Sequence, residues 1–489
     1  MRVLLIYSNQ TRDLIPAPPI GLSYVATATR AAGHEVRFLD LLTARDPHAA
    51  LRKAIHSFRP EAVGISVRNI DNVVLQRLHR HFGELSAFIE IIRTECGRET
   101  PIVLGGPAIS VLGARALQHL DADYAVRGEG EISFPALLDA LAAGRRPDGI
   151  PGVCWREGSQ AIDNPPALLP AFGASGMQDW IDWPSYRRLG GTFAIQTKRG
   201  CPMPCSYCCY PGIEGREFRR RAPEDVVDEI ESVHKILAPR TFEFVDSTFN
   251  LPPEHALAIC EEIVRRQLRV NFTTMGINPR KTSKELFALM KRAGFNSMMI
   301  TPESGNPDML RNLDKGFGLD DVQHTARLAR ASGLHSTWFF MLGGPGETQA
   351  TVKDTLAFVR RELRDSCFLS IFMTGIRMLP NTALALDHAE AGIDLAQPVF
   401  YLSPTVQETW MLQQVNETIR HQSNVVHAAE EGKSGYERAM HRMLATLRVA
   451  PPYWRFLPRL LGFPLLHALR RNHPSVGTLP RPVPAALTR

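Results

Sequence analysis

Lys198-Arg199-Gly200-Cys201-Pro202-Met203-Pro204-Cys205-Ser206-Tyr207-Cys208 decides how this chain is read, and the apolar run Thr192 to Thr197 just ahead of it reads as a strand. Thiolates are the ligands that iron–sulfur clusters take, and four of them normally hold a cubane. Three closely spaced cysteines grip three irons and leave the fourth open to another ligand. The competing reading is a structural zinc site, which wants two Cys or His pairs closing a tetrahedron. Cys209 is adjacent to Cys208, and neighbouring side chains rarely converge on one ion. His234, the next histidine, has no partner at finger spacing. Cys201, Cys205 and Cys208 are therefore the expected metal ligands and catalytic centre, holding a [4Fe-4S] cluster.

Downstream, the apolar pattern repeats at one period. Strands at Thr192–Thr197, Thr241–Val245, Arg269–Thr274, Ser297–Thr301, Ser336–Met341 and Phe368–Thr374 alternate with helices starting near Pro223, Pro252, Ser283, Leu319 and Thr348. Six such steps suit a partial (β/α)6 barrel of the TIM type, in which chemistry gathers at the carboxyl ends of the strands. Those ends carry the cysteine loop, Asp246, Thr274 to Asn278, Glu303-Ser304-Gly305, Gly343-Gly344-Pro345-Gly346-Glu347 and Arg377. Singly, each has a structural reading: the glycines suit a tight turn, Glu347 a helix start, and Asp246 a cap.

Upstream, strands at Val3–Tyr7, Glu35–Leu39, Ala62–Ser66, Ile102–Leu104 and Tyr124–Val126 are separated by helices, including one across Val73 to Cys96. The pattern predicts an α/β, Rossmann-like (flavodoxin-like) parallel sheet, whose ligands bind where the strands end. That points to Ser66-Val67-Arg68-Asn69-Ile70-Asp71-Asn72, Gly105-Gly106-Pro107-Ala108 and Arg127-Gly128-Glu129-Gly130-Glu131. The expected domains are 1–146, a linker with a small hairpin over 147–191, the barrel over 192–403, and a helical region with a disordered tail over 404–489. In that last region, helices are expected at Thr405 to Ala429 and Ser434 to Val449. The segment Tyr453 to Phe463 mixes bulky apolar residues with arginine, which suits packing on the barrel flank or contact with a membrane surface.

The Cys-x3-Cys-x2-Cys pattern resembles the signature of radical S-adenosylmethionine (SAM) enzymes, and the first 140 or so residues look like the cobalamin (B12)-binding domain that precedes many of them. The resemblance implies that the open iron chelates SAM. It also implies that Tyr207 contacts the adenine, that Glu303 with Ser304 and Gly305 meets the SAM amino group or ribose, and that Met341, Gly343 and Gly344 line the adenine. Arg377 resembles part of a segment recurrent in the cobalamin-dependent branch, with Asn381 where a glycine usually stands. Ser66, Val67, Arg68, Asn69, Gly105, Gly106, Pro107, Gly128 and Glu129 would edge the corrin, where glycines let backbone approach a flat ring. The Asp-x-His-x-x-Gly motif is absent, so no histidine from it would ligate cobalt. The implied activity is methylation of an unactivated carbon of a small metabolite or lipid through a 5′-deoxyadenosyl radical. The alternative is a radical SAM cyclase, ring-rearranging enzyme or mutase with cobalamin in a non-methylating role.

Composition narrows the partners. Hydrophobic content of 44% and charged content of 22% are those of a globular protein. A net charge of +6 on 489 residues implies no nucleic-acid partner. No run reaches the roughly 20 apolar residues of a spanning helix. Eight cysteines without a disulfide-like spacing suggest a reducing, cytoplasmic setting. An external one-electron reductant of the flavodoxin or ferredoxin type is the remaining expected partner.

Overall fold

The computed structural model describes residues 1–11, 16–158, 160–430, 435–464 and 466. The first sheet is built from β1 (Arg2–Tyr7), β2 (Glu35–Asp40), β3 (Ala62–Ser66), β4 (Ile102–Gly105), β5 (Tyr124–Val126), β6 (Val153–Glu157) and β7 (Gln160–Asp163). Their order is β2-β1-β3-β4-β5-β6-β7. The first five are parallel, in the 2-1-3-4-5 order of flavodoxin-like folds. Helices cover both faces, so β3 is buried at every residue and reads as an uninterrupted apolar run. The hairpin expected inside a linker pairs antiparallel with β5, Tyr124 opposite Trp155, and so extends this sheet.

The helix expected from Val73 to Cys96 is shorter. It spans Phe82–Cys96, and Leu75–Arg77 is a single 3-10 turn. The reason is local: the Asp71 and Arg80 backbones pair as an isolated antiparallel bridge, Asn72 Oδ1 accepts from the His79 amide at 3.0 Å, and Asn72 Nδ2 donates to the Arg77 carbonyl at 2.7 Å. Side-chain bonds of this kind compete with the helical ladder.

The second unit opens with β8 (Phe193–Ile195). An antiparallel pair, β9 (Lys198–Arg199) and β10 (Arg219–Arg220), then brackets the cysteine loop. Next come β11 (Thr241–Phe244), β12 (Asn271–Thr274), β13 (Ser297–Glu303), β14 (His335–Leu342) and β15 (Phe368–Thr374). They form two parallel ladders, β12-β11-β8 and β13-β14-β15, connected by the bridges Phe272↔Phe295 and Ile277↔Ile300. The six expected strands are all present. A short pair, β16 (Ile376–Arg377) with β17 (Phe400–Tyr401), follows. A further parallel strand, β18 (Val425–His427), flanks β15 where a continuous helix was expected. That helix runs only over Glu408–His421, and Val425, Val426 and His427 are buried. Asn424, whose amide donates to the Leu363 and Phe368 carbonyls, turns the chain into the strand.

Tyr453, Trp454, Leu457 and Leu461 are buried with Met299, Leu369 and Ile371, so this segment packs on the barrel flank. The expected disordered tail lies outside the described residues, as does Ser434; the helix there spans Gly435–Thr446.

Buried ionic contacts tie the two units together. Arg377 Nε donates to Asp71 Oδ2 at 2.8 Å, with both side chains almost fully buried. Arg199 lies over the Tyr24 and Phe172 rings and donates to Glu131 at 2.6 Å. Removing one partner of a buried pair strands the other charge, at a cost of about 3–5 kcal/mol, whereas removing both costs far less. Arg377→Met should therefore lower the thermal denaturation midpoint clearly more than Asp71→Leu/Arg377→Met does. A double variant as unstable as the single one would contradict this.

Candidate active site

The strand-to-loop junction fixes the cysteines. Asp246, just past β11, accepts from the Thr197 amide at 2.7 Å and hydroxyl at 2.6 Å, and from Lys198 Nζ at 2.9 Å. Lys198 also donates to the Phe249 carbonyl at 3.1 Å. His255, 3.1 Å from the Thr197 hydroxyl, is brought down to about 4 by burial and the Lys198 charge, and so stays neutral. Gly200 has φ +89, and a Cβ there would meet the Glu217 carbonyl oxygen at 2.0 Å, so only glycine makes this turn. The Cys201 amide then bonds to the Gly215 carbonyl and the Ser206 amide to the Leu313 carbonyl.

Cys201 and Cys205 share an apolar cluster with Met203, Leu251 and Phe218. Burial raises all three thiols, Cys208 to about 12, a burden that a bound metal would relieve by holding thiolate. Zinc thiolates sit about 3.8 Å apart, from bonds of ~2.3 Å at tetrahedral angles. A cubane spreads its cysteines over different irons, and the charges of Cys205 and Cys201 act on Cys208 across the loop. Cys209 packs instead against the apolar cluster of the first domain.

Glu303 ends β13 at φ +68, a strained value for a residue with a side chain. Its Oε1 accepts from the Tyr207 hydroxyl at 2.9 Å and lies 3.5 Å from Lys315 Nζ, which donates to the same hydroxyl at 2.8 Å. Burial and the Glu303 charge hold Tyr207 well above the ordinary tyrosine range. Lys315, 3% exposed, is a site residue that sequence reading missed; its signal is a lone lysine in the loop Asp314-Lys315-Gly316. Its charge partly offsets the upward push of burial on Cys205. Ser304 and the Gly305 amide are engaged by Thr355 on the following helix. Met341 packs with Tyr207 and Ile376. Glu347 accepts from the Gly343 amide at 3.2 Å and from the Thr351 hydroxyl, holding the glycine turn.

A cavity of about 350 Å³ opens between the carboxyl ends of the first sheet and the barrel. Ser66, Arg68, Gly105, Gly106, Pro107, Gly128 and Glu129 line it from one side; Gln196, Tyr210, Glu214, Glu243 and Met275 line it from the other. Leu5, Val103, Val126 and Phe134 make its depth apolar. Val67 and Asn69 border a smaller cavity beside it, and Arg377 borders neither. No histidine is among the described lining residues of the larger cavity. An apolar depth with a glycine-edged polar mouth fits a large amphiphilic ring carrying a tail. Glu243, read from sequence as part of a buried strand, is the second residue missed. It is 3% exposed, one oxygen accepts from Thr192 and the other has no partner, and burial raises its carboxyl.

Residues 195–359 match the radical SAM superfamily and residues 15–138 the B12 binding domain. The chain belongs to the radical SAM enzymes that carry a B12-binding domain. It is 28% identical over 453 residues to the tryptophan 2-C-methyltransferase of Streptomyces laurentii, covering 79% of this chain and 74% of that protein. It is 27% identical over 358 residues to an uncharacterized methyltransferase of Pyrococcus horikoshii, covering 70% and 73%. The fold matches that of the radical SAM methyltransferase TsrM from Kitasatospora setae, solved with cobalamin and a [4Fe-4S] cluster bound. The TM-score is 0.80 at 24% identity, over 96% of this chain and 99% of that one. The described helices include none long and apolar enough to cross a membrane.

Two outcomes check the site. After anaerobic reconstitution, Cys201→Ala/Cys205→Ala/Cys208→Ala should lose the roughly four irons of a cubane while Cys209→Ala keeps them; equal losses would show a different ligand set. Gly105→Trp should block cobalamin uptake and leave iron content unchanged. A Cβ at Gly105 meets nothing nearer than the Val126 carbonyl oxygen at 4.0 Å, whereas one at Gly106 would strike Val67 backbone at 2.7 Å and disturb the fold itself.

Proposed function

We propose that this radical SAM enzyme transfers a methyl group to an unactivated carbon of a small metabolite or lipid, with cobalamin seated in the interdomain cavity. One observation carries the reading: the cavity is shared. Tyr210, two residues beyond Cys208, and Glu243, inside the barrel, line the same space as the loops that end the first sheet. When bound, the cluster with SAM supplies a 5′-deoxyadenosyl radical, and cobalamin supplies a methyl carrier.

The chain's own residues position and enclose these groups. Glu303 takes the SAM amino group or ribose hydroxyls, with Tyr207, Met341, Gly343 and Gly344 toward the adenine; Ser304 and Gly305 keep the Glu303 turn against its helix. Ser66 to Asn69 and Gly105 to Pro107 edge the corrin, and Gly128 lies on its mouth. Glu129 closes that edge, held by Arg199 and Arg219 from the barrel side. Arg377 acts through Asp71 by fixing the loop that leads to the cavity, rather than by touching a cofactor. Glu243, with its free oxygen, meets a hydrogen-bond donor of the ligand or substrate. The division that accompanies this reading is 1–146 for cobalamin, 147–191 as a connection whose hairpin joins the first sheet, 192–403 for the barrel and 404–489 for its helical cover. An external flavodoxin- or ferredoxin-type reductant and a reducing, cytoplasmic setting complete it.

With methyl-labelled SAM, cobalamin and a strong reductant, label should appear in product together with 5′-deoxyadenosine. Formation of 5′-deoxyadenosine without label in any product would favour the cyclase or mutase reading. A charge-assisted hydrogen bond contributes roughly 1.5–3 kcal/mol, so Glu303→Gln should weaken SAM binding about tenfold or more at matched cluster content. An unchanged dissociation constant would return Glu303 to a purely structural role.

A further inference from the structure

A second cluster of ligating side chains lies beyond the carboxyl ends of β1 and β3, at the end of the loop that replaces the expected helix. His79 Nε2 is 3.2 Å from Glu84 Oε1, and His81 Nδ1 is 3.9 Å from Glu84 Oε2. One ligand atom from each of the three residues lies within 4.8 Å of both others. We propose that His79, His81 and Glu84 form a binding site for one borderline divalent cation of the zinc class, closing the loop onto the helix Phe82–Cys96.

The backbone presents the three groups before any ion arrives. The Asn72 amide bonds to the His79 carbonyl, the His81 amide bonds to the Ile70 carbonyl, and the Asp71 and Arg80 backbones pair as a bridge. His79 and His81 flank Arg80 of that bridge, and their rings meet edge to face with centroids 4.9 Å apart. Glu84, in the first turn of the helix, comes up to the two rings. Two imidazoles and a carboxylate are a donor set that zinc accepts, with a fourth position left for water. Room for that water exists: a cavity of about 10 Å³, the size of one water, touches both His81 and Glu84 and is lined also by Ser8, Asn9 and Arg68. Gln10 Nε2, 3.3 Å from Glu84 Oε2, orients the carboxylate from behind.

The site has a structural consequence distinct from the chemistry in the barrel. The loop it closes carries Gln76, whose amide donates to the Thr374 carbonyl and to Glu408, and Asp71, which holds Arg377. An ion at its base would fasten the strut between the two units.

The test uses untagged chain with its cluster and cobalamin loaded, dialysed against zinc buffered at nanomolar free concentration. Elemental analysis should find one zinc per chain beside the cluster iron, and X-ray absorption at the zinc edge should show only nitrogen and oxygen neighbours. His81→Ala and Glu84→Gln should each weaken zinc binding at least tenfold, while His56→Ala, at the separate His56–Glu95 pair, should not. Zinc should also slow hydrogen exchange across residues 70–81. Failure to hold zinc at micromolar free concentration, sulfur among its neighbours, or equal uptake by the His81 and Glu84 variants would each overturn the proposal.

Discussion

Asp246 is the point from which the catalytic loop hangs. Its carboxylate is buried where β8 and β11 end, and it collects two backbone amides, a hydroxyl and an ammonium group: Thr197 N, Lys198 N, Thr197 Oγ1 and Lys198 Nζ. A buried charge pair is stable only when its hydrogen-bonding capacity is met, and here four donors meet the carboxylate while Lys198 gains the Phe249 carbonyl as well. The chain leaving β8 can therefore turn in one way. The turn passes through Gly200, the one residue that fits against the Glu217 carbonyl, and delivers Cys201 to the barrel mouth.

The placement of the other groups follows from that turn. Because the cysteine loop runs on into the helix Tyr210–Glu214, the same segment that holds the cluster forms one wall of the interdomain cavity. The first domain meets it through ionic contacts that are mostly buried, Arg199 with Glu129 and Glu131 and Arg219 with Glu129. Such contacts have narrow geometry, so they fix orientation more than they add stability. A reaction that passes between two large cofactors needs that fixity, since a misplacement of about 1 Å can cost a hundredfold in rate.

The fold was legible because its signals are periodic. Apolar runs separated by helices of similar length are what parallel sheets produce, and the cysteine spacing carries its own chemistry. What escaped reading depends on single side chains acting locally or on contacts far apart in sequence. Asn72 turned an apparent helix into a loop by bonding to His79 and Arg77. The strand Val425–His427 is too short to show a period of its own and exists because β15 offers a free edge. Lys315 and Glu243 looked like an ordinary loop lysine and a strand acid. Only the folded chain brings the lysine to Tyr207 and Glu303, and places the acid, one of its oxygens unpartnered, among the residues that line the cavity.

The central claim is that one chain seats the cluster and cobalamin together, with no histidine reaching the cobalt from the cavity walls. Electron paramagnetic resonance of the reduced chain, loaded with iron, sulfide and cobalamin, tests it most directly. The account predicts one cob(II)alamin signal per chain with no splitting from a protein nitrogen, so that its line shape is the same in nitrogen-15-labelled protein, in chains that also hold a full cluster. A full cluster with no bound cobalt signal, or a nitrogen splitting of the cobalt signal that changes when the protein is labelled with nitrogen-15, would contradict it.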